Sequence, residues 1–434
     1  MASLPQQRPW YRNPLVWMVV VAFVLRLGVI LWKQSYRFSS ENQHYSFGLE
    51  TGSMARSLAA GEGFASPFKG STGPSAWLAP LYPALVALAF KLFGIFSPGA
   101  GLAVLALNSL FSALTCVAIF EVGRRTVGER AAWWSGWIWA LTPHLMKWAT
   151  EWVWEISLSA LLAGLAYWLT LLLEEESTLR RWLLYGLLWG VVALTNPVLL
   201  SFAPFSFAYI LWHRRRAWSA MVKPAMLAAL VSLVLVTPWL VRNRLVLGKW
   251  TFIRDNFGYE LHLGNYHLNF GYGWGGPHPS VSHQEWLRYK SMGEVAYVED
   301  AQRQFVEFYR QYPDEFWQLT GKRFLAFWDG SSVLYMQNWK PLAPWQYAVT
   351  SWLALMGLVL ALGRRLRGAA LFLWLIVYPL PYYITYPQPR YRHAVEPQIL
   401  LLATMFVGSA LVWARDWLRE RSHGARQTKP DLED

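Results

Sequence analysis

Residues 183–212 read LLYGLLWGVVALTNPVLLSFAPFSFAYILW, an uncharged run flanked by Arg180-Arg181 on one side and Arg214-Arg215-Arg216 on the other. As a single membrane-spanning helix it would carry the two basic clusters to opposite faces of a bilayer. Loops rich in Lys and Arg favour one face, the cytoplasmic one. Midway sits Asn196-Pro197, and a proline both lacks an N–H and clashes with the preceding helical turn. The run therefore predicts a hairpin whose tip lies away from the basic clusters. Such a tip either lines a cavity with its freed backbone groups, which makes Asn196 a candidate substrate contact, or is a plain turn.

The rest of the chain follows the same pattern. With 55% hydrophobic and 15% charged residues and a mean hydropathy of +0.22, the composition excludes an ordinary soluble globule. Runs of about 17–25 apolar residues span a bilayer. They occur at 15–32, 102–122, 131–143, 152–173, 183–196, 197–212, 225–241, 345–362, 369–387 and 397–413, some of them short. The reading is an all-α polytopic membrane protein of about ten transmembrane helices. Residues 77–96 form one more apolar stretch, but Pro80 and Pro83 shorten its helix to about 14 residues, roughly 21 Å, so it is expected to lie at the outer interface. The 28 Trp and 21 Tyr suit the lipid–water boundary. The net charge of +13 falls in short clusters between apolar runs, Arg124-Arg125 and Arg364-Arg365 among them, and so reports topology; nucleic acid is not an expected partner. Cys116, the lone cysteine, lies within an apolar run, and no cleavable signal peptide is evident.

This threading divides the chain into a membrane module, 1–242, with a first outer loop at 33–100, a long outer segment, 243–343, able to fold as a small helical or mixed domain, and C-terminal helices with a tail, 344–434. Function is expected on the outer face. In the first loop, Glu50 precedes TGSMARSLAAG, whose Met54, Ala55, Leu58 and Ala59 recur at helical spacing. The helix is expected to lie flat with its apolar side in lipid, and Glu50 at its positive end suits a general base toward a hydroxyl or simply a charge that stabilises the helix. Tyr45 and Arg56 flank it as candidate substrate contacts. Lys147, Glu151 and Glu155 follow at four-residue intervals, an inward-facing ion ladder or a substrate-contacting face, with Lys147 a candidate phosphate ligand. In PYYITYPQPRYRHAVEP, prolines 387 and 389 favour extended backbone, which would set Arg390 and Arg392 on one side as a phosphate clamp, unless they snorkel to headgroups; His393 adjoins them. Arg26, near the outer end of the first span, joins the clamp or snorkels. No P-loop, dinucleotide fingerprint or HExxH occurs at a sensible position. His44, His262, His267 and His278 have no fixed spacing, so a divalent metal is an open but unsupported option and no cofactor is implied.

The runs ETGSMARSLAAGEGFASPF and STGPSAWLAPLYPALVALAFKLFG, with GRRTVGERAAWWSGWIWALTP and YPQPRYRHAVEP, resemble bacterial polyprenyl-phosphate-dependent glycosyltransferases of the GT-C superfamily, the group of the protein O-mannosyltransferases and the aminoarabinose transferases of lipid A. The resemblance is good over the first two hundred residues, poor in the long outer segment and moderate in the last spans. It implies a multi-pass protein of the bacterial plasma membrane, with its active site facing the periplasm or exterior. An acidic residue in the first outer loop would then activate the acceptor. By position this is Glu50, although many members carry Asp there, often as an Asp-Glu pair, where this chain has Leu49-Glu50. Arg390 and Arg392 would hold the donor phosphate. The donor would be a sugar on a polyprenyl phosphate, the acceptor a hydroxyl of protein, lipid or glycan, and the transfer inverting. A lipid-linked sugar flippase and a non-catalytic envelope scaffold are the alternatives.

Overall fold

The computed structural model describes residues 13–37, 47–266, 277–331 and 345–427. Among these residues the chain is helical, with no strand and one isolated bridge between Ala65 and Pro74. Local chemistry sets the first helix: the Asn13 side chain accepts from Leu15 N at 3.0 Å, Pro14 opens Pro14–Lys33, and Gln34 closes it in the left-handed region. At 1.5 Å per residue these 20 residues reach about 30 Å, the thickness of the hydrocarbon layer.

Among the described residues six helices are long and apolar enough to cross a membrane: Pro14–Lys33, Pro98–Thr126, Ile156–Glu175, Arg215–Leu247, Trp345–Gly363 and Glu396–Arg421. The other expected spans are shorter or broken. Pro143 ends Glu129–Leu141, and Pro379 and Pro381 split 369–384 into a 3₁₀ turn and two short helices. The apolar helix Leu81–Phe93 has 13 residues, too short to span. Large side chains such as Trp17, Leu233, Val234, Trp352, Val359 and Leu411 are more than half exposed on the spans, an arrangement suited to lipid rather than water.

The chain turns back at Asn196-Pro197. Arg181 donates to the Leu172 and Glu176 carbonyls, while Arg214 donates to those of Glu174 and Glu175, so both ends of the 179–213 segment meet the same end of Ile156–Glu175. That end gathers Arg124, Arg125 and Arg367 around Glu121, Glu174 and Glu175. Close contact between spans depends on glycine. A Cβ at Gly186 would collide with the Ala228 carbonyl, and one at Gly357 with that of Leu402, which lets Leu179–Thr195 lie against Trp218–Leu247 and Trp345–Gly363 against Glu396–Gln427.

At the opposite end the first loop and the long segment cover the bundle together. The helix Glu50–Ala59 does not lie in lipid: Met54 and Ala55 are fully enclosed by protein, because the helix packs on Leu81–Phe93 beneath residues of the long segment. Met54, Phe68 and Trp77 share a core with Tyr259, Leu263, Tyr289 and Tyr297. A buried carboxylate seals this contact. Glu294 accepts from Ser75 Oγ at 2.5 Å, Ala76 N at 2.6 Å and Tyr289 Oη at 2.8 Å, and burial pushes its pKa up to about 7.

Candidate active site

The cavity between these loops and the bundle begins with an interruption in a helix. Pro143–Glu151 ends and Ile156–Glu175 starts five residues later, leaving the four residues Trp152, Val153, Trp154 and Glu155 as a link whose first residue is extended. Tyr82 Oη donates to Asn108 Oδ1 at 2.9 Å, and Asn108 Nδ2 donates to the Trp152 carbonyl at 3.0 Å, which fixes the link. Gly48 presses against it. A Cβ there would collide with Trp154 Nε1 and the Val153 carbonyl, and its φ of +69° is one that glycine adopts freely. Leu49 follows at φ +45°, a left-handed position that costs a branched residue about 1–3 kcal/mol. These two residues turn the chain so that Glu50 opens the helix Glu50–Ala59 with its side chain toward the cavity.

Glu50 and Arg390 line the same cavity, together with Glu155, Arg254, Glu260, His278 and Gln388. The space is about 150 Å³, below the roughly 300–1,000 Å³ of a cleft for a drug-sized ligand, so it suits one small group with any lipid chain lying outside. Arg390 lies over the Trp154 ring, 3.5 Å from its centroid, and donates to Tyr391 Oη at 3.0 Å. Its buried Nε has no hydrogen-bond partner among the described residues. Arg254 donates to the Trp77 carbonyl at 3.2 Å, and Glu260 accepts from Tyr386 Oη at 2.5 Å and Asn256 Nδ2 at 2.6 Å. His278 Nε2 lies 3.2 Å from Glu50 Oε1. The set offers a carboxylate for proton abstraction and two guanidiniums for an anion. No three His, Cys, Asp or Glu side chains converge to hold a metal among the described residues.

Other sequence candidates stand elsewhere. Arg392 faces away from Arg390 because Pro389 starts a short helix, Pro389–His393, instead of extending the chain, and two residues along a helix turn by about 200°. Its guanidinium pairs with Glu396 at 2.9 Å and donates to the Trp328 and Tyr347 carbonyls and to Ser351 and Thr350. Arg26 neither clamps nor snorkels. It is buried between helices, donating to the Ala22, Trp139 and Ala140 carbonyls and to Ser112 Oγ at 3.0–3.1 Å. The Trp139 carbonyl would take its helical N–H from residue 143, which is proline, so Arg26 fills the gap.

The expected ladder is broken for the same kind of reason. Since the helix stops at Glu151, Glu151 pairs with Lys33 at 2.6 Å and only Glu155 reaches the cavity. Lys147 is not among the cavity-lining residues, and burial lowers its pKa. Asn196 caps the hairpin turn, accepting from Val198 N and donating to Ser159 Oγ, each at 3.2 Å, and lines a small neighbouring space with Glu155 and Arg390. Arg56 donates to the Gly70 carbonyl at 3.0 Å, outside the cavity. His393 stacks on Trp139, centroids 4.8 Å apart, also outside it. Tyr45 lies outside the described residues.

The oligosaccharyltransferase of Archaeoglobus fulgidus, solved with a tethered acceptor peptide containing the NVT sequon, superposes with a TM-score of 0.55 at 11% identity over 98% of this chain and 52% of that one. The chain has the GT-C fold. It spans about half the length of that GT-C enzyme. ArnT of Cupriavidus metallidurans bound to undecaprenyl phosphate gives a TM-score of 0.41 at 14% identity, covering 91% of this chain and 77% of ArnT. Its apo form gives 0.38 at 17% identity, with 90% and 77% covered. Residues 77–241 match the sequence profile described as dolichyl-phosphate-mannose-protein mannosyltransferase. No curated protein sequence matches significantly. Within this GT-C fold, Arg254, Glu260 and His278 are the Arg, Glu and His side chains of the cavity that were not singled out as site residues from sequence; all come from the long outer segment, where no spacing marks them.

Proposed function

We propose that this protein is a membrane glycosyltransferase that moves a sugar from a polyprenyl-phosphate donor to an acceptor hydroxyl, with inversion, at the face opposite the basic clusters. That face is the periplasmic or exterior side of a bacterial plasma membrane by the positive-inside bias. The observation that carries the reading is the meeting of Glu50, Arg254 and Arg390 in one cavity at that end of the bundle. The GT-C fold and the profile match over 77–241 point the same way.

Each group has a task in the reaction. Glu50 takes the proton of the acceptor hydroxyl as its oxygen attacks the anomeric carbon. The bond from that carbon to the phosphate oxygen breaks, and the negative charge that grows on the phosphate meets the guanidiniums of Arg390 and Arg254. A phosphate so neutralised leaves without a general acid, so one carboxylate is enough. Glu155 and Glu260 are placed to accept hydrogen bonds from sugar hydroxyls. The acceptor, whether protein, lipid or glycan, reaches the cavity beside the long outer segment, which is where specificity is expected.

The test is transfer by the purified full-length protein from a mixture of polyprenyl-phosphate sugars. Glu50→Gln should abolish transfer and keep donor binding within about twofold, since a neutral amide cannot abstract the proton. Full activity in that variant would end the assignment.

A further inference from the structure

We propose that His278, from the long outer segment, is the positioning residue of the base: its Nε2–H ties down Glu50 Oε1 and leaves Oε2 to take the acceptor proton. This rests on the reading of Glu50 as base. The tautomer follows from the hydrogen bonds. Ser280 N donates to His278 Nδ1 at 3.0 Å. A backbone N–H can only donate, so Nδ1 holds the lone pair and the single proton of the neutral ring sits on Nε2. That atom is 3.2 Å from Glu50 Oε1. The ring is aimed by edge contacts with Phe68 and Tyr259, each 5.7 Å between centroids.

Two consequences follow. The histidine is a donor to the carboxylate and not a relay for its proton, because a ring that took a second proton would set Nδ1–H against the Ser280 N–H. The site is also incomplete without the 243–343 segment, since the side chain that orients the base comes from there. Glu155, Glu260, Arg254 and Arg390 are the other charged groups lining the cavity around Glu50, and none of them forms an ion pair with it among the described residues.

The two amide residues separate positioning from mere packing. The amide nitrogen of glutamine falls near the place of Nε2, whereas that of asparagine falls near Nδ1 and cannot reach Glu50. In the full-length protein reconstituted in nanodiscs, with the polyprenyl-phosphate sugar that the wild type uses, His278→Asn should lose about 10- to 100-fold in kcat, the worth of a hydrogen bond to a charged group, with the donor KM unchanged. His278→Gln should stay within about fivefold of wild type in kcat for the same reason, and both should melt together. Wild-type kcat in His278→Asn, a loss confined to KM, or equal losses in the two variants would overturn the positioning role. Glu50→Gln measured alongside keeps the two readings apart. Transfer by that variant would remove the base itself, while an inactive Glu50→Gln with an unaffected His278→Asn would remove only the histidine.

Discussion

Arg392→Met should destabilise the protein rather than weaken its grip on the donor. Arg392 and Glu396 are 1% and 2% exposed, and the guanidinium makes donations of 2.7–3.4 Å to Glu396, two carbonyls and two hydroxyls. Removing it leaves the Glu396 carboxylate buried with no cation, and breaking one side of a buried pair costs about 3–5 kcal/mol. Against a total stability of about 5–15 kcal/mol this is a large share. At roughly 2 °C per kcal/mol, the low end for large domains, the Tm should fall by about 6–10 °C. Arg392→Met with Glu396→Leu removes both charges and should recover most of that loss, since apolar replacement of a buried pair is often neutral. Thermal unfolding followed by tryptophan fluorescence gives the Tm, and transfer kinetics on the folded fraction give the donor KM. An Arg392→Met protein with wild-type Tm and a raised donor KM would refute the reasoning and make Arg392 a phosphate ligand.

Arg390 should behave in the opposite way. Arg390→Gln should leave the Tm within about 2 °C and cost about 10- to 100-fold in kcat/KM for the donor, and Arg390→Lys should restore little of it, because an ammonium cannot lie flat on Trp154 as the guanidinium does; transfer kinetics with varied donor check this. Gly48→Ala forces a Cβ into Trp154 and Val153 at a positive φ, so it should cost about 1–3 kcal/mol in the unfolding free energy and lower kcat as Glu50 and Arg390 shift together; a kcat equal to wild type would count against this. For Glu294, burial raises the pKa from 4.5 to about 7. The folded state therefore holds a proton that the unfolded state has lost between those values, and stability is highest below about pH 4.5 and falls as pH rises through about 7. The Tm of the wild type should drop between pH 5 and pH 8 by more than that of Glu294→Gln, and parallel curves would show that this carboxyl does not titrate as described.

The fold was legible in the sequence where two signals agreed. The hairpin at Asn196-Pro197 had both a proline and the basic clusters that fix its two ends, and the structure places Arg181 and Arg214 at one end of Ile156–Glu175. The start of a short helix at Glu50 was legible because it is a local property of the sequence. Arg392 was not, since a proline serves equally well in extended backbone and at the first position of a helix, and the choice at Pro389 decides which of the two arginines meets the cavity. The role of Arg26 was half-visible. Pro143 announces a Trp139 carbonyl without a helical donor, but which cation from another helix fills the gap is a matter of packing. Arg254, Glu260 and His278 reach the cavity only because the long segment folds back over the first loop and is sealed there by Glu294 and the aromatic core around Trp77. Contacts of that range leave no periodicity in the sequence. The same fact gives the long segment its meaning. Residues 243–343 lie outside the profile match over 77–241 and still supply Arg254, Glu260 and His278 to the cavity, so under the proposed reading this segment is where acceptor specificity is expected.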